Sequence, residues 1–197
     1  MAERRAPFSQ RERWALCELL ERLGPDVPTL CEGWRSIDLA AHLAARDRRP
    51  DAAPGMTLPN GRLGKWTEHV QRALRDGMTW EDLVDRVRKG PPLPLRPVGS
   101  LINSMEYFVH HEDLRRAQDG WEPRPLEPAD EALLWRQLRF LAKPLAKAGV
   151  ARLQSPGLTP IILRGQGRDV LEGPVGELVL WANRRKSVAR VELSEAG

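Results

Sequence analysis

The sequence predicts a mainly α-helical protein that ends in a small α+β element. Three observations carry this reading. Apolar residues recur at helical spacing through the first 149 residues, prolines and glycines fall between those stretches, and the pattern turns to short alternating runs after Gly149. The expected organisation is a helical body over residues 1–149 and an α+β element over 150–197.

The first helix is expected from about residue 9 to 23. Leu16, Leu19, Leu20 and Leu23 follow the i, i+3, i+4, i+7 template and make its inner face, with Cys17 at the border. Ser9 reads as its N-cap, with Glu12 three residues on in capping-box spacing. Gly24-Pro25 ends it. Ser36 reads as the cap of a second helix, which Pro50 stops after Arg49; Leu39, His42 and Leu43 share its inner stripe. Residues 50–62 carry Pro and Gly and read as loop. A third helix is expected over about 63–75, and a fourth starts at the cap Thr79 and runs through Trp80, Leu83, Val84 and Val87.

The run from Gly90 to Pro97 reads as a linker, because proline lacks the backbone donor and clashes with the preceding turn. A helix over about 98–118 follows, with Leu101, Met105, Phe108 and Val109 at its apolar positions. Pro123, Pro125 and Pro128 mark a loop before a long helix over about 129–148, bent at Pro144. Beyond Gly149, residues 150–154, 160–164 and those near Val170 read as short strands. Residues 176–182 read as a short helix, closed by Asn183, which tolerates the left-handed conformation a helix end asks for. Residues 188–193 alternate like a final strand.

Composition narrows the function classes. At 41% hydrophobic and 29% charged, the 197-residue chain is of ordinary globular type. It has no apolar run of the ~20 residues a membrane helix needs and no apolar segment behind its N-terminus, so the expected location is the cytoplasm, with no membrane partner. The net charge is +4, and arginine supplies 26 of the 31 basic residues. These are interspersed with acids and form no block of five or more like charges, which points away from nucleic acid. Cys17 and Cys31 are too few for a disulfide framework and read as reduced packing groups.

The chemistry concentrates in two segments. Glu106 and His110 sit four residues apart, so on a helix they project from one face, one turn apart. His42 lies on the apolar side of the second helix. If the two helices pack together, the three groups can converge on one metal ion and leave a coordination position open, as catalytic sites do. The ordinary readings are an i,i+4 polar pair on a solvated face and a core histidine. Two imidazoles and a carboxylate suit Zn²⁺, and imidazole also suits Ni²⁺, Co²⁺ and Fe²⁺. Asp38, one turn before His42, and Asp113, three residues after His110, are candidates to orient a ligand imidazole. Asp38 also sits in the first turn of its helix, where a carboxylate offsets the dipole. His111 is rotated about 100° from His110 and should not share the site. His69 reads as surface, and Trp14, Trp34, Trp66, Trp80 and Trp135 as core or interface anchors. Arg184 is a candidate contact for an anionic substrate or cofactor, with helix termination as its ordinary role.

With these residues in view, the chain resembles the DinB-like four-helix-bundle superfamily. Within it, the likeness is to the mycothiol-dependent maleylpyruvate isomerase family, whose N-terminal domain is a metal-binding bundle. Gly33-Trp34-Arg-Ser-Ile-Asp38-Leu-Ala-Ala-His42-Leu43 is similar to that family's Gly-Trp…Asp…Ala-His-Leu helix. Glu106-Tyr-Phe-Val-His110-His111-Glu-Asp113-Leu114 is similar to its Glu-x-x-x-His-x-x-Asp-Leu helix. The stretch from Gly173 to Arg184 is similar to a C-terminal element of many members, with Asn183 where relatives carry Gly. The His-x-x-x-Cys-x-x-Cys pattern of the related zinc-binding anti-sigma proteins is absent. The resemblance implies a DinB-like bundle with His42, Glu106 and His110 as metal ligands. It implies an enzyme of thiol isomerisation or S-transfer, with mycothiol or a similar thiol as cosubstrate and an electrophile as substrate. The alternative is a non-catalytic metal sensor or interaction module on the same bundle. Either would work as a monomer or a homodimer.

Overall fold

A computed structural model describes residues 6–57, 60–92, 96–163 and 167–195. The protein is mainly helical, with a small four-stranded sheet towards the C-terminus. Two compact units divide at Trp121/Glu122. The expected boundary lay at 149/150; the difference is the helix over 128–141, whose apolar face packs within the second unit instead of the first.

The first unit contains α1 (Phe8–Leu23), α2 (Ser36–Arg48), α3 (Ala53–Thr57), α4 (Gly61–Gly77), α5 (Trp80–Lys89) and α6 (Arg96–Arg115). Helix α1 packs on α5 and α6, and α2 packs on α4 and α5. The inner stripes of α1, α2 and α5 read from the sequence meet in one core, with Leu16, Leu19 and Leu20, Leu39 and Leu43, and Leu83, Val84 and Val87; α6 enters that core through Tyr107 and Leu114, which the sequence reading did not name. Burying each such side chain stabilises by about 1.5–3 kcal/mol. Alanines 40, 41 and 44 on α2 keep that helix slim where it meets its neighbours. Met105, Phe108 and Val109 are buried, while the side chain of Leu101 lies outside the described set.

Helix ends differ most from expectation. Pro7, not Ser9, precedes α1, so Ser9 lies within the first turn. Arg35 precedes α2, and the Ser36 hydroxyl donates to the Gly24 carbonyl at 2.6 Å, joining the end of α1 to the start of α2. Thr79 does cap α5: its Oγ1 accepts the Asp82 N–H at 3.1 Å. Gly90 ends α5 at φ 62°, and a Cβ there would lie 1.9 Å from the Arg13 guanidinium. Glycine suits the left-handed backbone there, and a larger residue would also displace the Arg13 side chain. The expected loop over 50–62 contains the short helix α3. Helix α6 starts at Arg96, two residues before expectation, with Pro97 in its first turn, where a missing N–H costs no helical bond. Residues 93–95 of the expected linker and 164–166 of the expected strand and turn lie outside the described set.

The second unit contains α7 (Pro128–Leu141), α8 (Lys143–Lys147), β1 (Val150–Gln154), β2 (Ile161–Ile162), β3 (Asp169–Glu172), α9 (Val175–Ala182) and β4 (Glu192–Glu195). The expected bend at Pro144 is a break: α7 stops at Leu141 and α8 carries Pro144 in its own first turn. The sheet order is β2-β1-β3-β4. β1 and β3 run parallel, and the two outer strands pair antiparallel to them. Helix α9 packs on α7. The left-handed residue after α9 is Arg184, at φ 70°, while Asn183 keeps φ −90° and donates its side-chain amide to Val179 O at 2.8 Å. The last strand starts four residues later than expected, at Glu192. Among the described residues no helix is long and apolar enough to cross a membrane.

Candidate metal centre

His42, Glu106 and His110 come together in the first unit. One donor atom from each lies within 4.8 Å of the other two. The imidazoles of His42 and His110 meet edge to face, with ring centroids 5.1 Å apart. His110 Nε2 stands 3.8 Å from Glu106 Oε2. Donors about 2.0–2.1 Å from a tetrahedral Zn²⁺ lie about 3.3 Å from one another. That pair therefore needs to close by only about half an ångström to share an ion. The chemistry of the set, two nitrogens and one oxygen, fits a borderline divalent ion.

Each imidazole is held from behind. Asp113 Oδ2 lies 2.9 Å from His110 Nδ1, and both residues are buried. A carboxylate accepting Nδ1–H leaves the Nε2 lone pair facing Glu106, the arrangement that orients metal-ligating histidines. Asp113 thus stands behind the His110 ring. Asp38 does not stand in that relation to His42. Its carboxylate accepts the Arg35 N–H at 3.0 Å and pairs with Arg75 at 3.0 Å, the helix-start role open to it from sequence. A partner of His42 is Gln71 of α4, whose side-chain amide lies 2.9 Å from Nδ1. A Gln amide can present either its oxygen or its nitrogen. With Nε2 on an ion, Nδ1–H donates to the amide oxygen.

Trp34 packs against His42, with ring centroids 5.1 Å apart, and also touches the hydrophobic core. Gln71 and Trp34 line a cleft of about 450 Å³ that also carries Asp38, Glu68, Arg72 and Arg75. Glu106 also has a charged neighbour: Arg46 Nε lies 3.3 Å from Oε2, and its guanidinium also reaches Asn103 at 2.8 Å. Sequence reasoning missed Gln71 and Arg46, since helical spacing names neighbours on one helix and not on the next.

A buried polar pair lies next to this centre. Tyr107 donates its hydroxyl to Asp47, and the Arg13 guanidinium sits 5.6 Å from the tyrosine ring. Burial pushes the Asp47 carboxyl above its ordinary range, and the Tyr107 hydrogen bond counters part of that. Burial, together with the neighbouring Asp47, also raises the Tyr107 phenol. His111 turns away from His110, as its rotation on the helix requires, and pairs with Glu12 at 3.0 Å. His69 is exposed and stacks on Trp66. Trp66 is 44% exposed, with its indole donating to Asp51 at 3.0 Å, so it is no core anchor; Trp135 is buried. Arg184 belongs to the second unit, where its backbone closes α9.

Comparison of the chain with family models, curated proteins and solved structures found no match.

Proposed function

We propose that the first unit is a DinB-like bundle that holds a divalent metal, Zn²⁺ foremost, through His42, Glu106 and His110. We further propose that it activates a small thiol of the mycothiol class for isomerisation or S-transfer on an electrophile. The observation that carries this reading is the meeting of three donors from two helices within 4.8 Å, with Asp113 fixing the His110 tautomer from behind. When bound, such an ion keeps a coordinating thiol as its thiolate at neutral pH.

The chain's own residues support the rest. Asp113 and Gln71 hold the two imidazoles in register. Pre-set ligands lower the cost of assembling a reactive geometry. The adjoining cleft offers an aromatic wall, Trp34, and two guanidiniums, Arg72 and Arg75, for a polar substrate bearing negative charge. Asp38 and Glu68 in the same cleft moderate that field and favour a ligand with polar groups of both kinds.

One observation favours a second reading. Arg46 already offsets the Glu106 charge at 3.3 Å, so the cluster also satisfies itself as an ion-pair layer of a non-catalytic module. Addition of thiol to Co²⁺-loaded protein separates the two. A change in the visible cobalt spectrum on adding mycothiol is the expected result. A spectrum indifferent to thiol would leave the non-catalytic reading.

A further inference from the structure

The loop before α2 brings a thiol to the far edge of the His110 ring. Leu30 N–H donates to the Asp113 carbonyl at 3.0 Å, and the Gln118 side chain donates to Pro28 O at 3.0 Å, so the loop is tied to the end of α6. Within it, Cys31 N–H donates to Thr29 Oγ1 at 3.2 Å and Trp34 N–H to the Cys31 carbonyl at 2.9 Å. The result is a half-buried Cys31 with its Sγ 3.3 Å from Asp113 Oδ2, the same oxygen that lies 2.9 Å from His110 Nδ1. One donor from each of Cys31, His110 and Asp113 lies within 4.8 Å of the other two.

We propose that Cys31, His110 and Asp113 form a second metal-binding set, selective for thiophilic ions such as Cd²⁺, Hg²⁺ or Cu⁺. Sulfur is the soft donor that the His42–Glu106–His110 set lacks, and thiolate ligands select such ions over harder ones. Tetrahedral S and O donors around a Zn²⁺-sized ion lie about 3.6 Å apart, against 3.3 Å between Sγ and Oδ2, and a larger thiophilic ion opens the pair further. Binding releases the thiol proton to solvent and leaves a thiolate on the ion. It also uses His110 Nδ1, so the ring proton moves to Nε2, which faces the Glu106 carboxylate at 3.8 Å. His110 then cannot serve the first set, and the two sets exclude one another. That exclusion rests on the function proposed above; the existence of the thiolate set does not.

The other thiol is silent by construction. Cys17 is fully buried and donates to Val84 O, and burial pushes it up to about 12. The test is titration of the full, reduced, metal-free chain with Cd²⁺, read by the ultraviolet sulfur-to-cadmium charge-transfer band. Wild type gains a band that saturates at one equivalent, and Cys31→Ser abolishes it. Asp113→Asn, which removes a ligand carboxylate, weakens Cd²⁺ binding. His42→Ala, or Glu106→Gln if the first variant does not fold, keeps the band. No band in wild type, a band that survives Cys31→Ser, or one lost with His42 and Glu106 overturns the proposal. Co²⁺ binding that survives in Cys31→Ser reports on the first set separately.

Discussion

His110 is the residue on which both nitrogen faces matter. Its Nε2 points to Glu106 and its Nδ1 to Asp113, so its tautomer decides which side can bind a cation. Asp113→Asn removes the negative charge behind the ring. Affinity for Zn²⁺ should fall roughly ten- to hundredfold, measured by competition with a chelator; unchanged affinity would remove Asp113 from the site. Asp47 makes a second residue-scale prediction. Its folded pKa is raised above the ordinary 3.8 by burial, so the folded chain holds a proton that the unfolded chain has released. The stability it contributes is full below 3.8 and is lost as pH rises through the raised value. Tyr107→Phe removes a hydrogen bond to the charged form, pushes the pKa further up and should cost about 1–3 kcal/mol at neutral pH. Thermal melts of metal-free protein from acidic to neutral pH should steepen in Tyr107→Phe and flatten in Asp47→Asn. Parallel curves for all three would refute the assignment.

At the scale of elements, helix existence was legible and helix edges were not. Apolar spacing in α1, α2 and α5 named the residues that form the core, because a 3.6-residue stripe can bury itself on only one side. Caps depend on the direction from which the chain enters, which spacing does not encode; hence Pro7 and Arg35 stand where Ser9 and Ser36 were expected. Thr79 was readable because acidic residues and an apolar stripe follow it at once. Thr79→Ala should lower stability by about 1 kcal/mol in denaturant melts, with no effect on metal binding. Loss of less than a few tenths would mean the cap is satisfied by solvent. The i,i+4 pair on α6 and the single histidine of α2 could be located from sequence. Gln71 could not, since nothing in α4 marks which of its polar residues faces His42. Cys31 was readable only as a packing thiol, because its proximity to Asp113 comes from a loop folding back over 82 residues of chain.

For the whole molecule, the division at Trp121 places every candidate ligand, and the residues that hold them, in the first unit. The amphipathic pattern of α7 told that it would bury a face and not against what, which is why the expected boundary fell later in the chain. The second unit has its own sheet and its own helix pair, α7 and α9. The central claim is that His42, Glu106 and His110 share one ion. Co²⁺ titration of the full chain, carried out in parallel on His42→Ala, Glu106→Ala and His110→Ala, addresses it most directly. The account predicts one tightly held equivalent in wild type, with a visible absorption that disappears in all three variants. Wild-type protein that takes up no stoichiometric cobalt, or His110→Ala protein that still holds a full equivalent with the same spectrum, would contradict it.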